Sequence, residues 1–340
     1  MLFAALAILS ASQAISMRTV WFKTVPSTGD SCIALTDSKV YALGRSGTAL
    51  AIDIVTGRTL ATRYLGKLTP AIGTSNTEGV FAVVDSQLCR LRNTDLTIEW
   101  RSPGKIDFPE IGVAVTPGPD GTVAVKRLRG VSFFSATDGK SVGKQWAAGF
   151  GSPASSPLYT EGGVLFMSGA MALVDHKKDK AIWTAKVGQA TMSETPHIER
   201  DSIYAVTKEG LSKVDLATGT IRWNVKGCGS VSPVVGEVVV TNGGGLSGYS
   251  TTDGKKLWTV PQLATLSNAL KVGSDMVAVM YYRGRSVRVG VFSAIDGELL
   301  QESGHLAQYS LTGVSRLFLS KQGTIIGNYR TTAFCLASGS

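Results

Sequence analysis

Histidine and cysteine are scarce in this sequence of 340 residues, which contains three histidines and four cysteines. The histidines form no H-x-H or H-E-x-x-H pattern, and the cysteines form no C-x-x-C pair. These residues are His176, His197, His305, Cys32, Cys89, Cys228 and Cys335. The spacings do not match those of metal sites built from these residue types, so we expect no bound metal. The cysteines are either free thiols or, in an exported chain, paired in disulfides, and the sequence leaves both open.

The sequence also lacks a Walker A pattern and any long segment of helical periodicity. The one G-x-S-x-G match, G139-K-S-V-G143, and the one G-x-G-x-x-G match, from Gly243 to Gly248, are therefore not followed by the helix that their enzyme classes require. The glycine run N242-G-G-G-L-S-G248 is interpreted as a connection between strands rather than a phosphate-binding loop. Charged residues make up only 17% of the chain, and short runs of Val, Ile, Tyr and Phe alternate with clusters of Gly, Asp, Ser and Thr. This composition predicts an all-β protein with many short strands.

One uninterrupted apolar segment is present, at the N-terminus. The residues MLFAALAILSASQA are uncharged and end in small residues, as is typical of a signal peptide cleaved after Ala14. A membrane anchor is the alternative, but Met1 to Met17 is short for a membrane span. No cysteine follows the segment, so we expect no lipid anchor. We therefore predict a signal peptide over residues 1–14, a single domain over residues 18–340, and export to the periplasm, the ER lumen or the exterior.

A nine-residue phrase recurs along the rest of the chain. It reads D215-L-A-T-G-T-I-R-W223 in one copy and S250-T-T-D-G-K-K-L-W258 in another. Its glycine position recurs about every 40 residues, in the range of one four-stranded propeller blade. The eight positions are Gly57, Leu96, Gly139, Asp179, Gly219, Gly254, Gly297 and Gly339. Eight copies predict an eight-bladed β-propeller with four-stranded antiparallel blades.

The residue types of the phrase suit a tight turn followed by an outer strand. The first Asp or Ser accepts backbone N–H bonds, and the glycine tolerates positive φ. We therefore expect Asp53, Asp175 and Asp215 to serve turns rather than catalysis. The tryptophan is expected to pack between neighbouring sheets, and in the third copy, ending at Trp146, the spacing predicts a longer turn. Ala61 and Gln301 replace the tryptophan in the first and seventh copies.

The two ends of the chain complement each other. The last phrase, C335-L-A-S-G-S340, stops at its turn and has no outer strand after it. The segment R18-T-V-W-F-K-T-V25 near the N-terminus reads as such a strand, with Trp21 in the tryptophan place. The N-terminal strand is therefore predicted to complete the last blade, which removes the open edges of the ring.

The phrase [DS]-x-x-[TD]-G-x-x-x-W at this period resembles the repeat of the quinoprotein-type (PQQ-like) β-propellers, over nearly the whole predicted mature chain. That family includes quinoprotein dehydrogenases, outer-membrane-assembly proteins of the BamB type and luminal propellers of ER membrane proteins. In layout the chain is most similar to the BamB type. The dehydrogenase branch implies PQQ, calcium and a vicinal disulfide, but the sequence has no Cys-Cys pair and no long insertions. We therefore expect no cofactor and no enzymatic activity.

Charge distribution points to a candidate binding face. The net charge is +9, and under the repeat alignment the loops between the second and third strands of the blades are mostly basic, whereas those between the first and second are mostly acidic. The predicted site residues are Arg45, Lys126, Arg127, Arg129, Lys208, Arg283, Arg285 and Arg330. A basic face favours a protein partner with an acidic surface. An anionic glycan or a lipid head group is the alternative, and the export signal disfavours nucleic acid.

Together these observations favour a non-enzymatic, exported propeller that acts as a protein-interaction scaffold or assembly accessory through its basic face. One alternative is a binding protein for an anionic glycan or small ligand at the propeller axis. In a eukaryotic source, an ER-luminal propeller subunit is the better analogy. A PQQ-dependent dehydrogenase ranks last, because the features of its cofactor site are missing.

Overall fold

The computed structural model describes residues 15–26, 32–44, 46–66, 68–74, 79–107, 115–127, 130–146, 156–167, 170–187, 196–207, 209–228, 230–242, 245–308 and 315–338. These residues form β-strands, turns and connections arranged as eight blades around an axis, so the predicted all-β, eight-bladed propeller is confirmed. Within the described ranges, no helix has the length and apolar character needed to cross a membrane. The predicted signal peptide, residues 1–14, lies outside the described residues.

Six blades are separate four-stranded antiparallel sheets whose strands lie in chain order. Blade 1 comprises β2 (Cys32–Leu35), β3 (Lys39–Leu43), β4 (Thr48–Asp53) and β5 (Thr59–Tyr64). Blade 2 comprises β6 (Leu68–Thr74), β7 (Val80–Val84), β8 (Gln87–Leu91) and β9 (Ile98–Arg101). Blade 3 comprises β10 (Val115–Pro117), β11 (Thr122–Arg127), β12 (Gly130–Ser135) and β13 (Ser141–Trp146). Blade 4 comprises β14 (Leu158–Thr160), β15 (Gly163–Met167), β16 (Met171–Asp175) and β17 (Lys180–Ala185). Blade 5 comprises β18 (His197–Glu199), β19 (Ser202–Thr207), β20 (Gly210–Asp215) and β21 (Ile221–Val225). Blade 6 comprises β22 (Ser230–Val235), β23 (Val238–Asn242), β24 (Gly245–Ser250) and β25 (Lys256–Pro261). First strands of successive blades contact one another, for example β2 with β6 and β18 with β22, so they surround the axis and the fourth strands form the rim.

Blades 7 and 8 share one nine-stranded sheet because the N-terminal strand joins them. Their strands are β26 (Leu270–Lys271), β27 (Met276–Arg283), β28 (Ser286–Ser293), β29 (Leu299–Ser303), β30 (Ala307–Gln308), β31 (Arg316–Leu319), β32 (Ile325–Tyr329), β33 (Thr332–Ala337) and β1 (Ile15–Thr24). Residues 18–24 of β1 pair antiparallel with β33 and complete blade 8, as predicted. Residues 15–17 pair in parallel with β29 of blade 7, which the sequence did not predict.

The apolar core is a ring of eight interfaces rather than one central mass. The buried apolar residues of the described chain form eight clusters, one at each junction between neighbouring blades. At the junction between blades 7 and 8, Met17 of β1 is part of the cluster. The tryptophan place of blade 7 is held by Gln301, whose side chain bonds to Ser338 at 2.9 Å. The N-terminal strand therefore supplies the apolar contact that blade 7 lacks.

The recurring phrase forms the turn between the third and fourth strands of a blade. In blade 5, Oδ1 of Asp215 accepts hydrogen bonds from the backbone N–H and the hydroxyl of Thr218, at 2.9 and 2.8 Å. Hydrogen bonds from Arg222 and Thr218 lower the pKa of Asp215 to about 2. Asp53 and Asp175 accept equivalent bonds in blades 1 and 4, so the predicted turn role of these aspartates is confirmed.

In five of the blades, the tryptophan of the outer strand packs on the phrase of the next blade. Gly219 has φ 73°, and a Cβ added to it would lie 2.7 Å from the ring of Trp183. The indole N–H of Trp183 also donates to the carbonyl of Leu216 at 2.8 Å. The same packing recurs in the pairs Trp21–Gly57, Trp100–Gly139, Trp223–Gly254 and Trp258–Gly297. The glycine of the phrase is therefore required both for the turn and for the docking of the neighbouring blade.

The second residue of the phrase fixes which turns share a face of the disc. The N–H of Leu216 donates to the carbonyl of Asp201, in the turn after the first strand of the same blade, at 2.8 Å. Equivalent bonds join Ile54 to Ser38, Ala136 to Gly121, Thr251 to Glu237 and Ala294 to Asp275. The turns after the first and third strands therefore lie on one face, and the hairpins between the second and third strands lie on the other.

The junction between blades 3 and 4 departs from this pattern. The phrase of blade 3 is a turn of ordinary length, closed by a bond from the N–H of Gly139 to the carbonyl of Ser135 at 2.9 Å, so the longer turn expected there was wrong. The extra residues lie in the outer strand, where a bulge lets Trp146 pair with Val131. A polar bridge joins the two blades instead, between Nε2 of His176 and Asp120 at 3.0 Å.

Candidate functional site

The candidate site is the face formed by the hairpins between the second and third strands of the blades, together with the connections between blades. We call it the hairpin face; its described residues lie at the facing ends of the second and third strands of the blades, for example at 283–286 and 329–332. Among the predicted site residues, Arg45, Arg129 and Lys208 lie outside the described residues. The other five lie at or beside these hairpins, but they differ in exposure and in partners.

Lys126 is buried rather than displayed on the surface. It is the second-last residue of β11, and only 4% of its surface is exposed. Lys126 pairs with Val131 of β12. The equivalent positions in the next two blades are held by apolar residues, Met167 and Val206. Burial, and to a lesser extent the charge of Arg316, lowers the pKa of Lys126 to about 8. Lys126 therefore adds positive potential to this face without offering an exposed contact.

Lys126→Met is expected to stabilise the protein by about 1–3 kcal/mol at pH 7, because an ammonium group no longer has to be buried. The sign follows from linkage. The folded pKa of about 8 lies below the ordinary value of 10.5, so the unfolded chain binds more protons between these values and wild-type stability rises with pH across that window. The stabilisation by Lys126→Met should be full below pH 8 and should vanish above about pH 10.5. Urea denaturation across this pH range measures it.

A matched control for this substitution is Lys255→Met, since the side chain of Lys255 is 81% exposed. Surface substitutions of this kind change stability by less than about 0.5 kcal/mol. A loss of stability in Lys126→Met, or an equal gain in both variants, would contradict the inferred cost of burying Lys126.

Arg127 is compensated by an acid in the connection between blades 2 and 3. Its Nε donates to Oδ1 of Asp107 at 2.6 Å, and its Nη1 donates to the hydroxyl of Ser132 at 3.2 Å. These two bonds orient the guanidinium along the protein surface. The pair therefore contributes little net charge to the face.

Blade 7 carries the longest of the described hairpins. Its strands β27 and β28 have eight residues each, against five or six in the corresponding strands of the other blades. Its turn contains Gly284 at φ 64°. On one side, the N–H of Tyr282 donates to the carbonyl of Ala264 at 3.1 Å, and on the other side the N–H of Leu306 donates to that of Val287 at 3.0 Å. The extended hairpin is therefore braced by both flanking connections.

A buried carboxylate organises the base of this hairpin. Glu302, whose side chain is 10% exposed, accepts bonds from the hydroxyl of Tyr281, from Nη1 of Arg283 at 2.9 Å and from Nη1 of Arg288 at 2.6 Å. Burial opposes ionisation of Glu302, but the bonds from Tyr281 and Arg283 and the charges of both arginines outweigh it, so its pKa lies below the usual value. Arg283 is thus engaged in the fold although its side chain is 63% exposed.

Arg285 and Arg330 are the exposed tips of the face. Arg285 follows Gly284 in the turn of the blade 7 hairpin, and Arg330 occupies the turn between β32 and β33 at φ 52°. The sequence identified both, but it missed Arg288 and Arg316. These two arginines lie inside strands, whereas the predicted face was built from loop residues. The run Y281-Y-R-G-R-S-V-R288 was the available signal.

The described residues offer no sign of a metal or disulfide centre at this face. Cys89, Cys228 and Cys335 are free thiols in the described chain, and the side chain of Cys32 lies outside it. Among the described residues, no group of three or more His, Cys, Asp or Glu side chains is arranged to hold a metal ion.

Comparison with known proteins assigns the family. The sequence profile of the outer membrane protein assembly factor BamB matches residues 127–258 and 172–316, together more than half of the chain. No curated protein sequence matches the chain. Among solved structures, BamB from Moraxella catarrhalis has a TM-score of 0.73 at 17% identity, covering 94% of this chain and 97% of its own. The C-terminal WD40 domain of Sif2 has 0.72 at 11%, covering 96% and 99%, and the computationally designed Ika8 protein has 0.69 at 12%, covering 95% and 98%. These structures share the propeller fold, and the profile match shows that the chain belongs to the BamB family of PQQ-like β-propellers.

Proposed function

We propose that this chain is an exported, non-enzymatic propeller that serves as a protein-interaction scaffold or assembly accessory, and that it binds a partner with an acidic surface through the hairpin face. The family match supports an assembly role, because the profile is that of an assembly factor. Export is supported by the apolar segment MLFAALAILSASQA, with cleavage after Ala14.

The observation that carries this proposal is the braced, arginine-bearing hairpin of blade 7. Loops that project from a rigid scaffold are the usual carriers of binding function. The hairpin projects further than those of the other described blades and is held by hydrogen bonds on both sides. An interaction element that is already ordered loses less conformational entropy when it binds.

Site-specific photo-crosslinking in the source cells tests which face is used. A photoreactive residue placed at Arg285 is expected to give discrete protein adducts, because this side chain is exposed on the hairpin face. The matched control places the same residue at Arg200, which is exposed in the turn after the first strand of blade 5, on the opposite face. Adducts from position 200 alone, or none from either position, would overturn the proposal.

A second candidate function is binding of an anionic glycan or small ligand at the axis, which one group of buried polar atoms favours. The side-chain amide of Asn242 donates to the carbonyl of Ser267, which in turn bridges to Ser315. Within the described chain, Oδ1 of Asn242 and the hydroxyl of Ser315 are buried and have no hydrogen-bond partner. Arg316 follows Ser315 in the chain, and its positive charge contributes to the lowered pKa of Lys126. Buried polar atoms of this kind are usually satisfied by a ligand, an ion or water.

Thermal unfolding with added D-glucuronate distinguishes this second candidate. An axial anion site predicts a rise in Tm with glucuronate, no rise with neutral D-glucose, and loss of the rise in Lys126→Met. If glucuronate has no effect, or if it acts equally on both proteins, the axial candidate fails.

A further inference from the structure

The positive charge of the hairpin face is concentrated in one sector rather than spread around the ring. Five arginines lie on the hairpins and inner strands of blades 7 and 8. They are Arg283, Arg285, Arg288, Arg316 and Arg330. Among the described residues of these two hairpins and the connections beside them, Glu302 is the one acid. This sector, which we call the arginine sector, therefore holds an excess of four positive charges.

Blades 2 and 3 hold a smaller excess among their described residues. In blade 3, Arg127 is held by Asp107, and Lys126 is buried. In blade 2, the turn itself is acidic, since Asp85 occupies it and lies 3.6 Å from Arg101. Exposed charges that are neutralised by a neighbour project a weak field, whereas a cluster of one sign attracts oppositely charged groups over about 8–10 Å at moderate salt.

The arginine sector is built on a single packed base. Tyr329 of blade 8 lies in the same buried cluster as Val287 and Leu306 of blade 7. Asn268, in the connection to blade 7, bonds to both the carbonyl and the N–H of Leu317 in blade 8, at 3.2 and 3.0 Å. The two hairpins are therefore fixed relative to each other, and the exposed arginines keep their spacing before any partner arrives.

Arginine, rather than lysine, selects the chemistry of the partner. A guanidinium presents several N–H donors in a planar fork that matches a carboxylate, whereas an ammonium acts as a point charge. Within the molecule, Arg283 and Arg288 already bind one carboxylate, that of Glu302, and each donates to it through Nη1. Each of these bonds uses one nitrogen of its guanidinium, so donors of the exposed Arg283 and those of Arg285 remain to meet a carboxylate from outside.

We propose that the arginine sector binds a short segment of the partner protein in which Asp and Glu side chains are clustered. This proposal rests on the proposed scaffold function and specifies the chemistry that the scaffold recognises. Binding should weaken steeply with salt, since it depends on screened charges. It should also depend on the guanidinium fork of Arg285 and not on charge alone.

The test uses an octaglutamate peptide as the probe and an octaglutamine peptide as its neutral counterpart, with affinity measured by calorimetry at two salt concentrations. Wild type is expected to bind octaglutamate and not octaglutamine. Arg285→Glu should weaken binding at least about tenfold, which is 1.4 kcal/mol, and Arg285→Lys should give an intermediate loss. Arg200→Glu is the matched control, because it makes the same charge change on the opposite face, and it should bind like wild type.

Three results would overturn the inference: no binding of octaglutamate, equal weakening by Arg285→Glu and Arg200→Glu, or binding to phosphatidylserine vesicles in place of the peptide. Thermal unfolding of each variant shows that the fold is intact. If the peptide fails while crosslinking at position 285 succeeds, the scaffold function stands and the partner chemistry is wrong. If crosslinking also fails, the proposed function fails with it.

Discussion

Trp183→Ala is expected to lower the free energy of unfolding by about 3–5 kcal/mol, as for other large aromatic side chains removed from packed interfaces. The indole contacts Gly219 of the next blade and donates to the carbonyl of Leu216 at 2.8 Å. Its removal therefore leaves a cavity at the junction between blades 4 and 5 and an unpaired carbonyl. Urea denaturation followed by intrinsic fluorescence and far-UV circular dichroism measures the loss.

Trp146→Ala is the control for this effect. Trp146 has no glycine of the next blade beneath it, and its indole N–H has no hydrogen-bond partner among the described residues. Trp146→Ala should therefore lower the free energy of unfolding clearly less than Trp183→Ala. Equal losses would mean that any large apolar residue on the rim stabilises the ring as well, and that the docking of tryptophan on glycine has no special weight.

Gly219→Ala is expected to cost about 2–4 kcal/mol, from two sources that can be separated. The position has φ 73°, which disfavours any side chain by about 1 kcal/mol. The added methyl would also lie 2.7 Å from the ring of Trp183, so the indole would have to move and the junction would be overpacked. Gly227→Ala isolates the first source, because Gly227 has φ 76° and nothing within 4 Å of an added Cβ.

The double variant supplies the decisive comparison. In a Trp183→Ala background, the cost of Gly219→Ala should fall to about 1 kcal/mol, the value expected for Gly227→Ala, because the clashing ring is gone. Costs that simply add would show that Trp183 and Gly219 stabilise the protein independently, contrary to the packing described here.

The repeat made most of the fold predictable, because each part of the phrase has a local physical requirement. The glycine at φ 73° and the aspartate that caps the turn are short-range features, and they specify where a blade turns. The regular spacing then gives the number of blades, and the missing outer strand at the C-terminus predicts closure by the N-terminal strand. None of these inferences needs information about distant side-chain contacts.

Features that depend on contacts between blades could not be predicted in the same way. Trp146 matches the tryptophan of the phrase in type, yet Gly143 occupies the place four residues after Gly139, packed against Asp179. Lys126 was counted as an exposed loop charge, but strand register buries it. These outcomes depend on residues from neighbouring blades that are distant in sequence.

The sequence predicted the candidate face in outline, and the ion pairs seen in the structure refine it. The sequence placed basic residues on one face, but it could not show that Asp107 compensates Arg127 or that Glu302 organises Arg283 and Arg288. Ion pairs between segments separated by many residues leave no local signal. The structure therefore narrows the proposed contact from a whole face to two adjacent hairpins.

The pairing of β1 with both β29 and β33 has a consequence for how the molecule is made. Strand β1 finds these partners only when blades 7 and 8 have been synthesised. Contacts of such large sequence separation close late and slow the folding of a chain. Until then the strand from Ile15 to Thr24, with its apolar Met17 and Trp21, and the edge of β33 stand open to other molecules, as unpaired edges do. The ring is thus most vulnerable to aggregation before its final closure, and a holding chaperone that covers β1 would shorten that exposure.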